Sequence, residues 1–547
     1  MNHFHYNPIN FCSGFGSSRT ILRGWTSPGT AQRRVRSWFG TSVRRAVSSM
    51  VALLAALLFS APADAACGTT WTDGNGSWTV GGNWNAGVPT SGTNACIIDG
   101  TSTVTLSGTG STASLQLATG NALDIAASQL QVFGSSISNA GAITVNGGGG
   151  SNSILDIEGN ATLSGGGTVT LHTAAGGGAA LIETFSAGLT LINTDNTITG
   201  AGAIGLGGLA FDNKATVDAN AAGQILDLFG SVTNTSLLEA TNGATLSIRG
   251  VAGITTNVAN TGGNITADGA GSTVAMSANA TITGGTLNTK NGGVMQTAGG
   301  STATLDGVTI AAGSTYITNN GSVTSLQGTI TNHGTLQVTG GGGFNTILDI
   351  PGNATLSGGG TVTLNTAAGG GAALIENLTG GPTSTLTNAD NTIQGAGAIG
   401  LGGLAVVNQP GGTLLANAPG QNLAVSFGSL TNNGVMEVNP GSGLIVTSTF
   451  TNFSGNTLTD GTYIVNGATA NTGTMQLSPL GNHVGGEIVN NAASIILNGP
   501  TANTLLVDAG GNNALKPLAA NKTAASILQL EAATVSPRSA ASATPVP

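Results

Sequence analysis

Charge is nearly missing from this chain. Only 6% of its 547 residues are Asp, Glu, Lys or Arg, against about 25% in ordinary soluble domains. Aromatic residues make up another 4%. A disordered chain combines high net charge with few β-branched residues, and neither holds here, because Thr, Val and Ile recur along the whole length. A helical protein is excluded from the other side. The chain holds 90 glycines, and each costs about 1 kcal/mol in a helix relative to Ala, with Thr, Asn and Ser also poor helix formers. What is left is an uncharged, β-rich chain with a turn residue every few positions.

The few charges divide unevenly. Residues 1–66 hold seven arginines (Arg19, Arg23, Arg33, Arg34, Arg36, Arg44, Arg45) against the single acid Asp64. The rest holds six basic residues against 21 acids, a net of −15, which repels nucleic acid and excludes it as a partner. A basic segment, the apolar run 50–59 and the small residues up to Ala65-Ala66 read as a secretory signal with an extended n-region, cleaved after Ala65 or Ala66. The run is about half the roughly 20 residues of a spanning helix, so no transmembrane segment is expected in the mature chain. Arg33-Arg34 lies well upstream of the run, which disfavours twin-arginine export. Asp64 stands where a lipoprotein signal carries Leu, which disfavours lipidation of Cys67. An exported chain meets an oxidising compartment, and Cys67 and Cys96 are the two cysteines left after the leader, so they are expected to form a disulfide.

Trp71, Trp78 and Trp84 then crowd into fourteen residues between those cysteines. Residues 67–100 read as a small cap closing the open end of a long sheet structure. The alternative is a glycan-contact surface, since indole faces stack on pyranose rings.

From about residue 100 the chain repeats at two scales. Ile154-Leu-Asp-Ile157 followed by Gly159-Asn-Ala-Thr-Leu-Ser-Gly-Gly-Gly-Thr-Val-Thr-Leu171 recurs at Ile347–Leu364, shifted by 193 positions. Similarity spans about 147–217 and 340–415, a tandem duplication within residues 101–510. The smaller phrase is apolar, any residue, Asn, then a Gly-rich bend, then alternating apolar positions. Ile137-Ser-Asn139, Ile330-Thr-Asn332 and Leu430-Thr-Asn432 each open one. Period-two alternation marks a strand with one buried face, and Asn with Gly marks a corner because both tolerate positive φ. Recurrence without long crossovers, small aliphatic interior positions and repeated corner Asn and Thr favour a solenoid over a sandwich. The expected fold is all-β, a right-handed parallel β-helix with ~20–25 residues per turn. Residues 511–547 end the repeats, with a short helix expected at Ser526–Ala532 and then a disordered Pro- and Ser-rich tail.

The phrases 386–400 (Leu-Thr-Asn-Ala-Asp-Asn-Thr-Ile-Gln-Gly-Ala-Gly-Ala-Ile-Gly) and 407–414 (Val-Asn-Gln-Pro-Gly-Gly-Thr-Leu) resemble the β-helical repeats of bacterial autotransporter passengers and filamentous-haemagglutinin-like adhesins. The resemblance covers residues 67–510. It implies a secreted or outer-membrane-associated cell-surface body that contacts host cells, matrix or polysaccharide. Residues 536–547 and those before them show no translocator barrel of alternating strands, so a passenger served by a separate translocator is implied.

Catalysis is not expected. Glycosidases need paired carboxylates at a set separation, and the acids here are scattered. Asp156 and Glu158 are the closest pair in sequence, but Pro351 replaces Glu158 in the second copy. His172, His333 and His483 lie far apart, and Asn365 replaces His172. The Asp-Gly pairs at Asp268, Asp306 and Asp460 are not periodic, which excludes a calcium-binding nonapeptide array. No catalytic, metal or cofactor site is expected. The reading is a non-enzymatic adhesin-like or structural protein, with a polysaccharide-degrading β-helix lyase or glycosidase as the alternative.

Overall fold

A computed structural model describes residues 66–531, apart from 175–176, 252, 368, 381–383, 479–484 and 523–526. The expected leader up to Ala65, the tail 532–547 and His483 lie outside the described residues.

The body is a parallel β-solenoid of about 16 turns. Each turn contributes one short strand to each of three faces, and each strand pairs with the strands one turn before and after. Like stacks on like inside. Leu123, Ile143, Val169, Ile198, Val217 and Leu238 form one continuous column on the first face. Leu130, Leu155, Ile182 and Ile204 do so on the second, and Leu191, Phe211, Val232, Val258 and Ile282 on the third. All are buried in one unbroken core. Each such side chain contributes about 1.5–3 kcal/mol of apolar burial, so few aromatics are needed. Partners one turn apart are separated by 20 residues at Leu386↔Val406 and by 32 at Leu356↔Asn388. This is a wider range than expected, because the longer turns carry glycine-rich excursions such as the tight bridge Gly341↔Phe344.

The corner asparagines point inward and form a buried ladder. Nδ2 of Asn193 donates to Oδ1 of Asn213 at 3.0 Å, Asn213 to Asn234 at 2.9 Å, and Asn234 to Asn260 at 2.7 Å. In the second copy Asn388 donates to Asn408 and Asn408 to Asn432, both at 2.8 Å. Buried amides need partners, and an identical amide one turn away supplies one at each of these steps.

At the N-terminal end, the Cys67–Cys96 disulfide (Cα–Cα 5.7 Å) ties the tryptophan block to the first turn. At the other end, the expected helix is absent. Ile527–Glu531 is a strand paired in parallel with Asn490–Asn498. The previous turn offers a free ladder edge, and bonding to it outweighs the weak helical preference of so short a segment.

The duplicated copies do not occupy the same face. Strand Ser153–Ile157 stacks on the second face, above Gln129–Val132 and below Ala180–Glu183. Its counterpart Thr346–Asp349 stacks on the third, between Val323–Asn332 and Ala373–Glu376. The following strands shift likewise: Thr168–Thr173 lies on the first face, and Thr361–Thr366 on the second. The repeat is therefore a whole number of turns plus one face.

Candidate carboxylate and aromatic site on one face

Outward positions on the faces are mostly uncharged, although the first-face column through Thr144, Thr170 and Thr199 has Asp124 before it and the stacked acids Asp218 and Glu239 after it. A second group of charged positions lies on the second face of the first copy. Gln131, Asp156 and Glu183 occupy one outward column on three successive turns. Beside it run Gln129, Ile154, Leu181 and Ala203. On the other side Phe133 follows Val132, the partner of Ile157, so it lies one turn before Glu158, while Phe185, two residues past Glu183 as Glu158 is past Asp156, lies one turn after. Ser186 donates its hydroxyl to Glu158 Oε2, which fixes that corner against the next turn. Glu158 thus stands between two outward rings, Phe133 at 40% exposure and Phe185 at 67%.

Asp156 is fully buried although it points away from the core. Its Oδ2 accepts from Gln129 Nε2 at 2.8 Å and Gln131 Nε2 at 3.1 Å. Its Oδ1 meets no protein donor and the carboxyl group faces Glu158. Burial raises the Asp156 carboxyl above its ordinary value of 3.8; the two glutamine amides oppose this and the Glu158 charge adds to it. Glu183 is raised above its ordinary 4.5, first by burial and then by the charge of Asp156.

The edge of this site is closed by a clamp. Arg249 donates to both carboxylate oxygens of Asp227 at 2.7 and 2.8 Å and lies 4.9 Å from the centre of the Phe229 ring. Phe229 is pressed onto Leu181 and Ala203, forming a small apolar cluster outside the main core. The chain bulges between Ile204 and Leu206 to make room. Gly207 sits there at φ 69°, packed against the Thr184 carbonyl where a Cβ has no space.

The second copy keeps the stacked acids. Asp349 and Glu376 are in-register partners, 27 residues apart like Asp156 and Glu183, and Glu376 is raised by burial and then by Asp349. Both oxygens of Asp349 are satisfied, by the Ser325 hydroxyl and the Leu378 amide, each at 3.0 Å. Pro351 and Leu378 replace Glu158 and Phe185. The repeated pair is therefore not Asp156 with Glu158 but acids one turn apart, which a search for neighbours in sequence misses. Adding 193 to Asp156 and Glu183 reaches Asp349 and Glu376, and that was the available signal.

Elsewhere the chemistry is spent locally. Trp71, Trp78 and Trp84 are buried in the core against the first turns. Trp84 stacks edge-on to both others at 5.0 and 5.1 Å and donates Nε1 to the Trp78 carbonyl at 2.8 Å. No indole face is left open to a sugar ring. His172 and His333 bond at separate corners, to Asn146 Oδ1 and the Gly358 carbonyl. Lys214 pairs with Asp212 at 3.3 Å. A cavity of about 330 Å³ near the C-terminal end is lined by Leu497, Leu506, Leu515 and Leu528 and carries no titratable group. Among the described residues no three His, Cys, Asp or Glu side chains are grouped to hold a metal, and no helix is long and apolar enough to cross a membrane.

No protein-family model, curated protein or solved structure matches the chain.

Proposed function

We propose that this chain is an exported, non-enzymatic β-helical protein of the cell surface or extracellular space, acting by adhesion or as a structural scaffold. The observation that carries the reading is the three-faced parallel ladder, stacked turn on turn around a closed aliphatic core in a chain with few charges. Such a body adds contact area with every turn and has no need of a charged cleft. The arginine-rich leader and apolar run supply the export step. Fractionating cells that express the full chain, with the mature N-terminal residue sequenced, tests this: surface or medium location with a start at Ala66 or Cys67, and reduced attachment on deletion, are expected. Retention in the cytoplasm with Met1 intact, or unchanged attachment, overturns it.

A second reading, a polysaccharide-cleaving enzyme, is favoured by the stacked acids Asp156/Glu183 and Asp349/Glu376. Retaining glycosidases hold two carboxyl groups about 5 Å apart across the scissile bond, close to the spacing of adjacent strands. Burial counts against it, because Asp156 and Asp349 are closed off from solvent. Release of reducing ends from any polysaccharide would install this reading over the first.

A further inference from the structure

Two features remain unused by a purely structural role: the outward rings Phe133 and Phe185, and the half-buried Glu158 between them. We propose that the Phe133–Glu158–Phe185 column, with Asp156 and Glu183 beside it, is a binding site for an uncharged polysaccharide chain. The inference rests on the surface-contact reading above and names its ligand class.

The chemistry selects the ligand. A pyranose presents an apolar C–H face and a rim of hydroxyl donors. Phe133 and Phe185 lie two turns apart, about 10 Å at the strand spacing, and offer apolar ring surface on both sides of an acceptor. Asp156 is closed off from solvent, so the carboxyl group that a sugar hydroxyl can reach is Glu158, half-buried between the two rings and held through its Oε2 by the Ser186 hydroxyl. Gln129 and Gln131 hold the far oxygen of Asp156 and keep the carboxyl group oriented. Charge excludes the acidic glycans. Three carboxyl groups share the site, and Arg249, a cation on a later turn of the same face, is already engaged by Asp227. A uronate or sulfate group arriving here meets repulsion with no free cation to offset it. The arrangement binds and does not cleave, since the most buried acid cannot reach a scissile bond.

The second copy provides an internal control, because it keeps the acid pair but has Leu378 and Pro351 in place of the Phe185 ring and the half-buried Glu158 carboxylate. The test is co-sedimentation of the purified full chain with insoluble cellulose and chitin, and affinity electrophoresis in soluble neutral glucans, with polygalacturonate as the acidic probe. Binding to at least one neutral polymer and none to polygalacturonate is expected. Phe185→Ala is expected to weaken binding about tenfold, the scale of one lost aromatic contact, and Glu158→Gln by severalfold, while Leu378→Ala leaves it unchanged. Both site substitutions are at exposed or half-exposed corners, and an unchanged unfolding midpoint checks that each variant is folded. Binding to no neutral polymer, or Phe185→Ala and Glu158→Gln binding as the parent does, overturns the site. Neither result bears on export or attachment, which the fractionation experiment reads separately. Cleavage of a bound polymer overturns both.

Discussion

Phe229 and Phe427 close the same phrase in the two copies, Gln224-Ile-Leu-Asp-Leu-Phe229-Gly-Ser and Gln421-Asn-Leu-Ala-Val-Ser-Phe427-Gly-Ser. The first ring is 3% exposed and the second 70%. In the first copy Asp227 holds Arg249 over the ring. The second has Ala424 in place of Asp227 and carries the additional Ser426, at which the ladder register slips. Phe427 is left at φ 66°, a region that bulky residues seldom occupy. The core beneath does not register the difference, since Ile182 over Ile204 and Ile375 over Ile399 stack identically. The inward isoleucine pair is the same in both places, whereas this outward ring is packed in one and exposed in the other.

The largest expected effect should show no difference between the copies. Ile182→Ala and Ile375→Ala should each cost about 2–5 kcal/mol, read as a lowered urea midpoint. A gap of more than about 2.5 kcal/mol between them, beyond the usual spread at a fixed chemistry, would break the claim of equal cores. The aromatic pair should separate sharply. Phe229→Ala should cost roughly 2–4 kcal/mol, whereas Phe427→Ala should fall within about 0.5 kcal/mol of the parent, and equal losses would mean that both rings are packed. Arg249→Ala should cost about 1 kcal/mol, less in high salt, because the ion pair is partly exposed and the ring contact is modest.

The smallest effect is on pH dependence. Carboxyl groups with raised values hold their protons more tightly in the folded chain than in the unfolded one, so the stability they contribute is present below their ordinary values and lost as pH rises past them. Glu183→Gln and Glu376→Gln should flatten the fall in unfolding midpoint above pH 4.5. Glu183 should have the larger effect, being the more buried. A midpoint that rises with pH across that window would contradict the burial of both acids.

The ladder, its corners and its disulfide were legible because each rests on a signal in the sequence itself: alternation, Asn with Gly, and two cysteines beyond the expected leader. Ile143 over Val169 follows from composition once a narrow interior is assumed. The site was not legible in the same way. Asp156 meets Glu183 only through the length of one turn, which varies with each glycine excursion, and Phe133 reaches Glu158 by the same route. Ile527–Glu531 was misread because its strand character comes from the free edge of the preceding turn, not from its own five residues.

The offset between the copies has a geometric outcome. Had the duplicated segment spanned whole turns, Asp156/Glu183 and Asp349/Glu376 would look in one direction along a single stripe. Shifted by a face, they look in directions roughly a third of a revolution apart, so a planar wall that meets one pair leaves the other turned aside. Tandem repetition of the gene segment has here produced angular coverage around the axis rather than a longer track along it.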